Sequence, residues 1–311
     1  MSPVVEAKDL TKRYGSTTVV DRLNLSIEEG EVFGLLGPNG SGKTTTILML
    51  LGLTEVSAGT VRVLGLDPAR QPLQVKRRVG YLPDAIGFYD YLTARDNLRF
   101  VGRLAGVPRD ALDRRIDEVL ERFNLRERAE DKVATFSRGM KQRLGLAEVL
   151  LKEPRVVILD EPTAGLDPKS AHELLDEIRT LKSDGIAVML SSHALHQVQA
   201  ICDRVALFRS GRVALEGRVP DLARQVLGGA FRVVVDARGD RLEETLARVP
   251  GALRVTRRDG DRYEVEAESD LRGAIAAAVV GAGGTLLSLT AAEPSLDDIY
   301  AQCFQEVRDA A

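Results

Sequence analysis

Residues 37–44 read Gly37-Pro38-Asn39-Gly40-Ser41-Gly42-Lys43-Thr44, which fits G-x-x-x-x-G-K-[ST] at every fixed position. The chemistry that this spacing serves is the holding of a polyphosphate. Glycines let successive backbone N–H groups converge on phosphate oxygens, and a helix that begins at the loop adds the positive end of its dipole. Lys43 supplies a point charge for the β- and γ-phosphates, and the Thr44 hydroxyl suits a Mg²⁺ ion. The apolar run at 31–36 and the apolar helical stretch at 44–53 give the loop its strand before and its helix after. A glycine turn arising for packing alone would not need that setting, so the ligand class is a nucleoside triphosphate.

A second constellation is Val156-Val157-Ile158-Leu159-Asp160-Glu161, four apolar residues ending in two carboxylates. Ionised groups at a core edge need a partner. Asp160 can complete a Mg²⁺ shell with Thr44, while Glu161 projects differently and can polarise a water in line with the γ-phosphate. The plain alternative is a solvated turn with Pro162 ending the strand. Ser137 and Gly139 precede a helical run that starts near Met140, and a serine hydroxyl beside helix-start N–H groups makes an anion site. Within one chain a simple N-cap accounts for the same residues. The three histidines are His172, His193 and His196. A histidine following a strand, as His193 does, is usually structural; His196 invites a metal reading with it but brings no further ligands, and His172 suits a solvated helix.

The elements that must carry these residues alternate. Strand-like runs at 4–7, 18–20, 23–27 and 61–64 are separated by turn residues such as Tyr14-Gly15-Ser16. Helical periodicity covers 97–105, 110–123 and 140–151, and strand-like runs return at 156–159, 187–191 and 205–208. Such alternation predicts a mostly parallel sheet covered on both faces, an α/β fold. The texture changes after Pro220. Strand 231–236, helix 241–249, a hairpin of 253–256 with 262–267 around Asp259-Gly260, helix 271–280, strand 285–289 and helix 295–307 follow in the order of a ferredoxin-like α+β fold. Two domains are therefore expected, 1–220 and 221–311.

Composition narrows the classes further. The 311 residues are 44% hydrophobic and 29% charged, which excludes a disordered or fibrous chain. A formal net charge of −3 leaves no basic footprint for nucleic acid. Cys202 and Cys303 have no zinc or disulfide spacing. Glu6, Lys8 and Asp9 near the start argue against a signal peptide. The most apolar run, 273–287, is short of the ~20 residues of a spanning helix, so any pore is expected in another chain.

The stretch Phe136-Ser137-Arg138-Gly139-Met140-Lys141-Gln142-Arg143 resembles the LSGGQ-type signature of ABC ATPases. The rest of that family's set follows in order. Tyr14 matches the aromatic that stacks on adenine, and Asp84 in Gly80-Tyr81-Leu82-Pro83-Asp84 falls at the Q-loop position. Ala164-Gly165-Leu166-Asp167 matches the D-loop, and His193 in Ser191-Ser192-His193 the switch histidine. The resemblance covers about residues 1–220. It implies a P-loop NTPase fold, with a RecA-like core, an antiparallel β subdomain and a helical subdomain. It implies ATP and Mg²⁺ as cofactors. Tyr14, Gly37, Pro38, Asn39, Gly40, Ser41, Gly42, Lys43, Thr44, Thr45, Asp84, Ser137, Arg138, Gly139, Asp160 and Asp167 would bind ATP; Thr44, Asp84 and Asp160 would hold the metal. Glu161 would be the catalytic carboxylate, and His193 would contact the γ-phosphate and order the attacking water.

Signature residues in this family close over ATP held by a partner, so the resemblance also implies a head-to-tail homodimer or a paired ATPase subunit. Three positions depart from the pattern. Asp84 replaces the usual glutamine, and Arg138 and Met140 stand where the signature has its first glycine and its glutamine. The tail Glu293-Pro294-Ser295-Leu296-Asp297-Asp298-Ile299-Tyr300 resembles the end of the C-terminal extension in drug, antibiotic and lipid exporter ATPases. It implies an exporter subunit on the cytoplasmic face of the membrane, driving a separate transmembrane permease docked near Asp84 and residues 91–103. A variant serving copper-site or exported-enzyme maturation shares these features. Soluble members acting on ribosomes generally carry two cassettes and those acting on DNA a long coiled coil, while residues 43–137 show no sustained heptads. A non-hydrolysing regulator would not need Lys43, Asp160, Glu161 and His193 together.

Overall fold

The computed structural model describes residues 3–227, 231–258, 260–267, 269–292 and 295–305. The chain divides into two compact units, Met1–Glu216 and Gly217–Ala311.

The first unit opens with β1 (Val5–Tyr14) and β2 (Thr17–Ile27), antiparallel neighbours that share a sheet with β4 (Ala58–Val63). The two runs expected at 18–20 and 23–27 are one strand, because register shifts against β1 absorb the polar break without ending the pairing. Between β2 and β4 lie β3 (Val32–Leu36) and α1 (Lys43–Leu50). Next come α2 (Pro72–Arg78), β5 (Val79–Leu82), α3 (Ala94–Leu104), α4 (Arg109–Arg122) and α5 (Arg138–Leu150). The remaining elements are β6 (Val156–Asp160), α6 (Pro168–Ser183), β7 (Ala187–Ser192), α7 (Leu195–Gln199), β8 (Arg204–Arg209) and β9 (Arg212–Gly217).

The central sheet has the order β5-β6-β7-β3-β8-β9. Its core pairs, β5–β6, β6–β7, β7–β3 and β3–β8, are parallel. Every residue of β3, β6 and β7 is buried, as expected of parallel strands covered on both faces. Because β6, β7 and β3 are adjacent and parallel, their carboxyl ends open on one side of the sheet. That is where ligands bind in open α/β sheets. Short elements went unanticipated: α2, β5 and β9 each span too few residues to show a period, and β9 returns from β8 through a tight turn at Ser210 and Gly211, both at positive φ.

In the second unit α8 (Val219–Leu227) precedes β10 (Phe231–Arg238), α9 (Leu242–Ala247), β11 (Ala252–Arg257) and β12 (Arg262–Ala267). Then follow α10 (Arg272–Gly281), β13 (Thr285–Ala292) and α11 (Leu296–Gln305). The sheet order is β11-β12-β10-β13 with antiparallel neighbours. Two strands joined through a helix therefore run parallel with one strand between them, first β10 and β11 around β12, then β12 and β13 around β10. These interleaved split β-α-β units make the ferredoxin-like connectivity. Val233, Val235, Leu246, Val265, Ile275 and Val279 fill the core between the sheet and α9 and α10. The apolar run 273–287 is spent on α10 and β13, and among the described residues no helix is long and apolar enough to cross a membrane. Of the exporter-like tail, Glu293 and Pro294 lie outside the described residues, as does Asp259 of the hairpin turn.

Candidate functional site

The phosphate loop leaves β3 and enters α1 with Gly42 as N-cap at φ +111. A β-carbon there would sit 2.8 Å from the Val19 carbonyl oxygen, so both backbone angle and space demand glycine. Lys43 is 6% exposed, and its Nζ donates to the carbonyls of Gly37 (2.7 Å) and Pro38 (3.3 Å). The same ammonium lies 3.4 Å from Glu161 Oε1. Three buried side-chain polar atoms among the described residues lack a hydrogen-bond partner, and two of them, Ser41 Oγ and Glu161 Oε1, belong to this loop and the strand end facing it. Leaving such atoms unpaired is costly unless a ligand or water meets them, so the cradle fits a bound phosphate chain.

Asp160 ends β6, 3% exposed, and each of its oxygens has a donor. Thr44 Oγ1 donates to Oδ2 at 2.9 Å and Ser191 Oγ donates to Oδ1. The loop threonine and the strand-end carboxylate are thus brought together from 116 positions apart. Glu161 adopts φ +49, an uncommon angle for a residue with a side chain. Its N–H donates to Ser191 Oγ at 3.1 Å, and its carboxylate is turned back between Lys43 and His193, whose Nδ1 is 2.8 Å from Oε2. Backbone held in such a region costs of order 1–3 kcal/mol and marks functional sites. The Gly37 N–H donates to the Ser192 carbonyl at 3.3 Å, which ties the phosphate loop to the strand carrying His193. Nearby, burial together with the Asp160 and Asp84 carboxylates pushes the Tyr81 hydroxyl up to about 12.

The remaining candidates are placed differently. Asp84 is exposed beyond β5 and forms no hydrogen bond with Thr44 or Asp160. Tyr14 closes β1, 50% exposed. Pro38, Asn39 and Gly40 are exposed at the crest of the loop, and Thr45 is half-buried in the first turn of α1. Ser137 is the N-cap of α5, accepting from Met140 N–H at 3.2 Å, so the helix begins two residues before the Met140 expected from the sequence. Asp167 is the N-cap of α6; it accepts from Ser170 N–H (3.0 Å) and Ser170 Oγ (2.6 Å), which holds its carboxyl below the usual range. Arg138 lies on the D-loop: a β-carbon on Gly165, at φ +66, would be 2.5 Å from its guanidinium carbon. Gly139 also packs close to Ser170, where a β-carbon would lie 3.0 Å from Oγ. The signature and D-loop thus contact each other, and no hydrogen bond among the described residues joins Ser137 or Asp167 to the phosphate loop.

Sequence reasoning missed Ser191. Ser191 is paired with Asp160 in the β6–β7 register, and register between parallel strands cannot be read from either strand alone. Among the described residues no cluster of three or more His, Cys, Asp or Glu side chains is placed to hold a metal. Mg²⁺ does not need such a cluster, since one hydroxyl and one or two carboxylates suffice when substrate phosphates supply the rest. Thr44 and Asp160 are of that kind.

Residues 20–164 match the family described as ABC transporter. Over 96% of its length the chain is 34% identical to the linearmycin resistance ATP-binding protein LnrL of Bacillus subtilis (strain 168), covering 97% of that protein. It is 41% identical to the bacitracin transport ATP-binding protein BcrA of Bacillus licheniformis, with 70% of each chain covered. A solved structure of an ATP-binding subunit of an ABC transporter superposes with a TM-score of 0.66 at 34% identity, over 71% of this chain and 92% of that one.

Proposed function

The chain belongs to the ABC transporter ATP-binding family, and from that premise we propose that it hydrolyses ATP to drive export through a separate membrane permease. The observation that carries the hydrolytic reading is the Glu161 carboxylate, held by an unusual backbone angle between Lys43 and His193 at the mouth of the phosphate loop. Lys43 is placed to leave its carbonyl partners for phosphate oxygens. Thr44 and Asp160, with Asp84 from beyond β5, would hold Mg²⁺, which when bound neutralises charge on the phosphates. Glu161 accepts the proton of the attacking water, and the exposed His193 fixes Glu161 through Nδ1. Tyr14 stacks on adenine. Ser137, Arg138, Gly139 and Asp167 complete the site of a second subunit, in a head-to-tail pair whose two sites are related by symmetry.

Export is supported by relatives whose names include resistance to linearmycin and transport of bacitracin. Permease docking near Asp84 and residues 91–103 is supported by an exposed aromatic cluster. Tyr89 meets Tyr91 edge to face at 6.0 Å and Phe100 at 5.1 Å, and Leu104 stands exposed beside them. Such a patch suits a protein partner at the cytoplasmic face of the membrane. The test is Glu161→Gln, which keeps the shape of the side chain but exchanges one acceptor oxygen for an amide donor and cannot take a proton. Turnover should fall about 10²–10⁴-fold, as for loss of a general base, while ATP with Mg²⁺ should now hold the chain as a dimer in size-exclusion chromatography with light scattering. A variant that stays monomeric under saturating MgATP, or turns over as fast as the parent, defeats the reading.

A further inference from the structure

Lys12 is a buried cation without an acidic partner. It is 8% exposed, and no carboxylate lies within ion-pair distance of it among the described residues. Its Nζ donates to the Glu55 carbonyl at 2.7 Å and sits 4.7 Å from the centre of the Tyr14 ring. Burying an ammonium costs free energy that one carbonyl does not offset, so the ring face is a necessary part of its surroundings. Lys12 covers one face of Tyr14, yet half of the tyrosine remains exposed.

The Glu55 contact belongs to a set of three. Ser57 N–H donates to the Thr11 carbonyl at 2.9 Å, and Arg13 N–H donates to Ser57 Oγ at 2.9 Å. Residues 11–13 of β1 are thereby stitched to the segment that leaves α1, the helix headed by the phosphate loop. The aromatic platform and the phosphate cradle are consequently fixed to one another, which sets the distance between a base on Tyr14 and the phosphates at Lys43.

We propose that Lys12 is a positioning residue of the nucleotide site. Its ammonium backs the Tyr14 ring so that a purine stacked on the free face completes a cation–aromatic–base sandwich, anchored through Glu55 to the chain beyond α1. This rests on the reading of Tyr14 as the stacking partner of the base. A cation on one face withdraws π density and favours an electron-rich purine on the other, and it restricts the ring to the orientation that receives it.

The experiment is calorimetric titration of the full chain with MgATP and, separately, with Mg-tripolyphosphate, which has no base. The variants are Lys12→Met, Lys12→Arg, Tyr14→Ala and the double variant Lys12→Met/Tyr14→Ala. Lys12→Met is expected to weaken ATP about fivefold, the size of a desolvated cation–π contact, with Lys12→Arg restoring most of it. Tyr14→Ala should weaken ATP at least as much, the double variant no more than Tyr14→Ala alone, and tripolyphosphate should bind all of them alike. Unchanged ATP affinity in Lys12→Met beside a weakened Tyr14→Ala overturns the role of Lys12 and leaves that of Tyr14 standing. Unchanged affinity in Tyr14→Ala overturns the stacking reading itself. Additive losses in the double variant, or weaker tripolyphosphate binding by Lys12→Met, would show a structural lysine and overturn the proposal.

Discussion

The carboxyl end of the parallel sheet and the start of α5 carry the two faces of the proposed ATP site, and they are built in opposite ways. At the sheet end Lys43, Asp160 and Ser191 are buried, Glu161 is nearly so, and two buried polar atoms lack a hydrogen-bond partner. At the starts of α5 and α6 Ser137, Arg138 and Asp167 are exposed, and each is engaged within its own chain: Ser137 with Met140 N–H, Asp167 with Ser170, Arg138 against Gly165. One face is strained and charged in advance of its ligand, as preorganised sites are. The other is at rest as a pair of helix caps, and in the proposed dimer it would acquire a different use when a second nucleotide site approaches. The proposed dependence on a partner therefore has a physical form: among the described residues only one of the two faces is left with buried polar groups that a ligand must satisfy.

The strongest way to break that contrast is Lys43→Ala. It removes the phosphate ligand and also leaves Glu161 in a buried site without its cation. Turnover should fall about 10³-fold, the scale of losing a transition-state charge contact, and stability should drop by about 3 kcal/mol, as when one partner of a buried pair is deleted. Denaturant midpoints and steady-state ATPase rates measure both. A Lys43→Ala chain as stable as the parent would mean that the sheet end stores no uncompensated charge.

Glu148 asks whether burial alone makes a carboxylate behave like Glu161. It lies within α5, where burial pushes its carboxyl up to about 7 while Lys152, one turn on, pulls the other way. Lys152 spends a hydrogen bond on the Lys76 carbonyl at 2.7 Å, and burial lowers its own pKa. A raised carboxyl pKa means that the folded chain keeps a proton which the unfolded chain has lost. Stability is then greatest below about pH 4.5 and declines as pH rises to about 7, where it levels. Glu148→Gln should consequently stabilise the chain by about 3 kcal/mol at pH 8 and by almost nothing near pH 4, with ATP affinity unchanged. Urea titrations at the two pH values decide it; equal effects at both would remove Glu148 as the source.

Much of the sheet end was legible in the sequence because chemistry fixes residue types there. Gly37 to Thr44 and the carboxylates closing β6 have few other reasons to occur in that order. The ferredoxin-like order from β10 to α11 was legible from the alternation of strand and helix patterns between turn residues, while α8 ahead of it was not. What escaped depends on long-range register or local angle. Ser191 meets Asp160 only because β6 and β7 pair in one register, and nothing in Leu-Asp-Glu-Pro announces a positive φ at Glu161. Lys12 stands two residues before Tyr14, yet its loss of solvent and its bond to Glu55 require the fold. Arg138 looked like an anion ligand by type; its contact with Gly165 follows from the packing of α5 against the start of α6.

The finest test of the contrast lies at Ser137, where a cap and a phosphate contact can be pulled apart by charge. Ser137→Ala loses the hydroxyl that accepts from Met140 N–H, so the single chain should lose about 1 kcal/mol. Ser137→Asp caps a helix as well as serine does and should keep that stability. An aspartate facing the γ-phosphate of another subunit, however, adds like charge where a donor is needed. In the Glu161→Gln background both variants should bind ATP normally when dilute, because the contact that holds ATP in one chain is at the sheet end. Both should need at least about a hundredfold more chain to form the ATP-held dimer, since each symmetric pair loses two hydrogen bonds to charged groups. Sedimentation at a series of concentrations reads this directly. If Ser137→Asp paired as readily as serine, the start of α5 would be a helix cap and nothing more, and the second face of the site would have to be sought elsewhere.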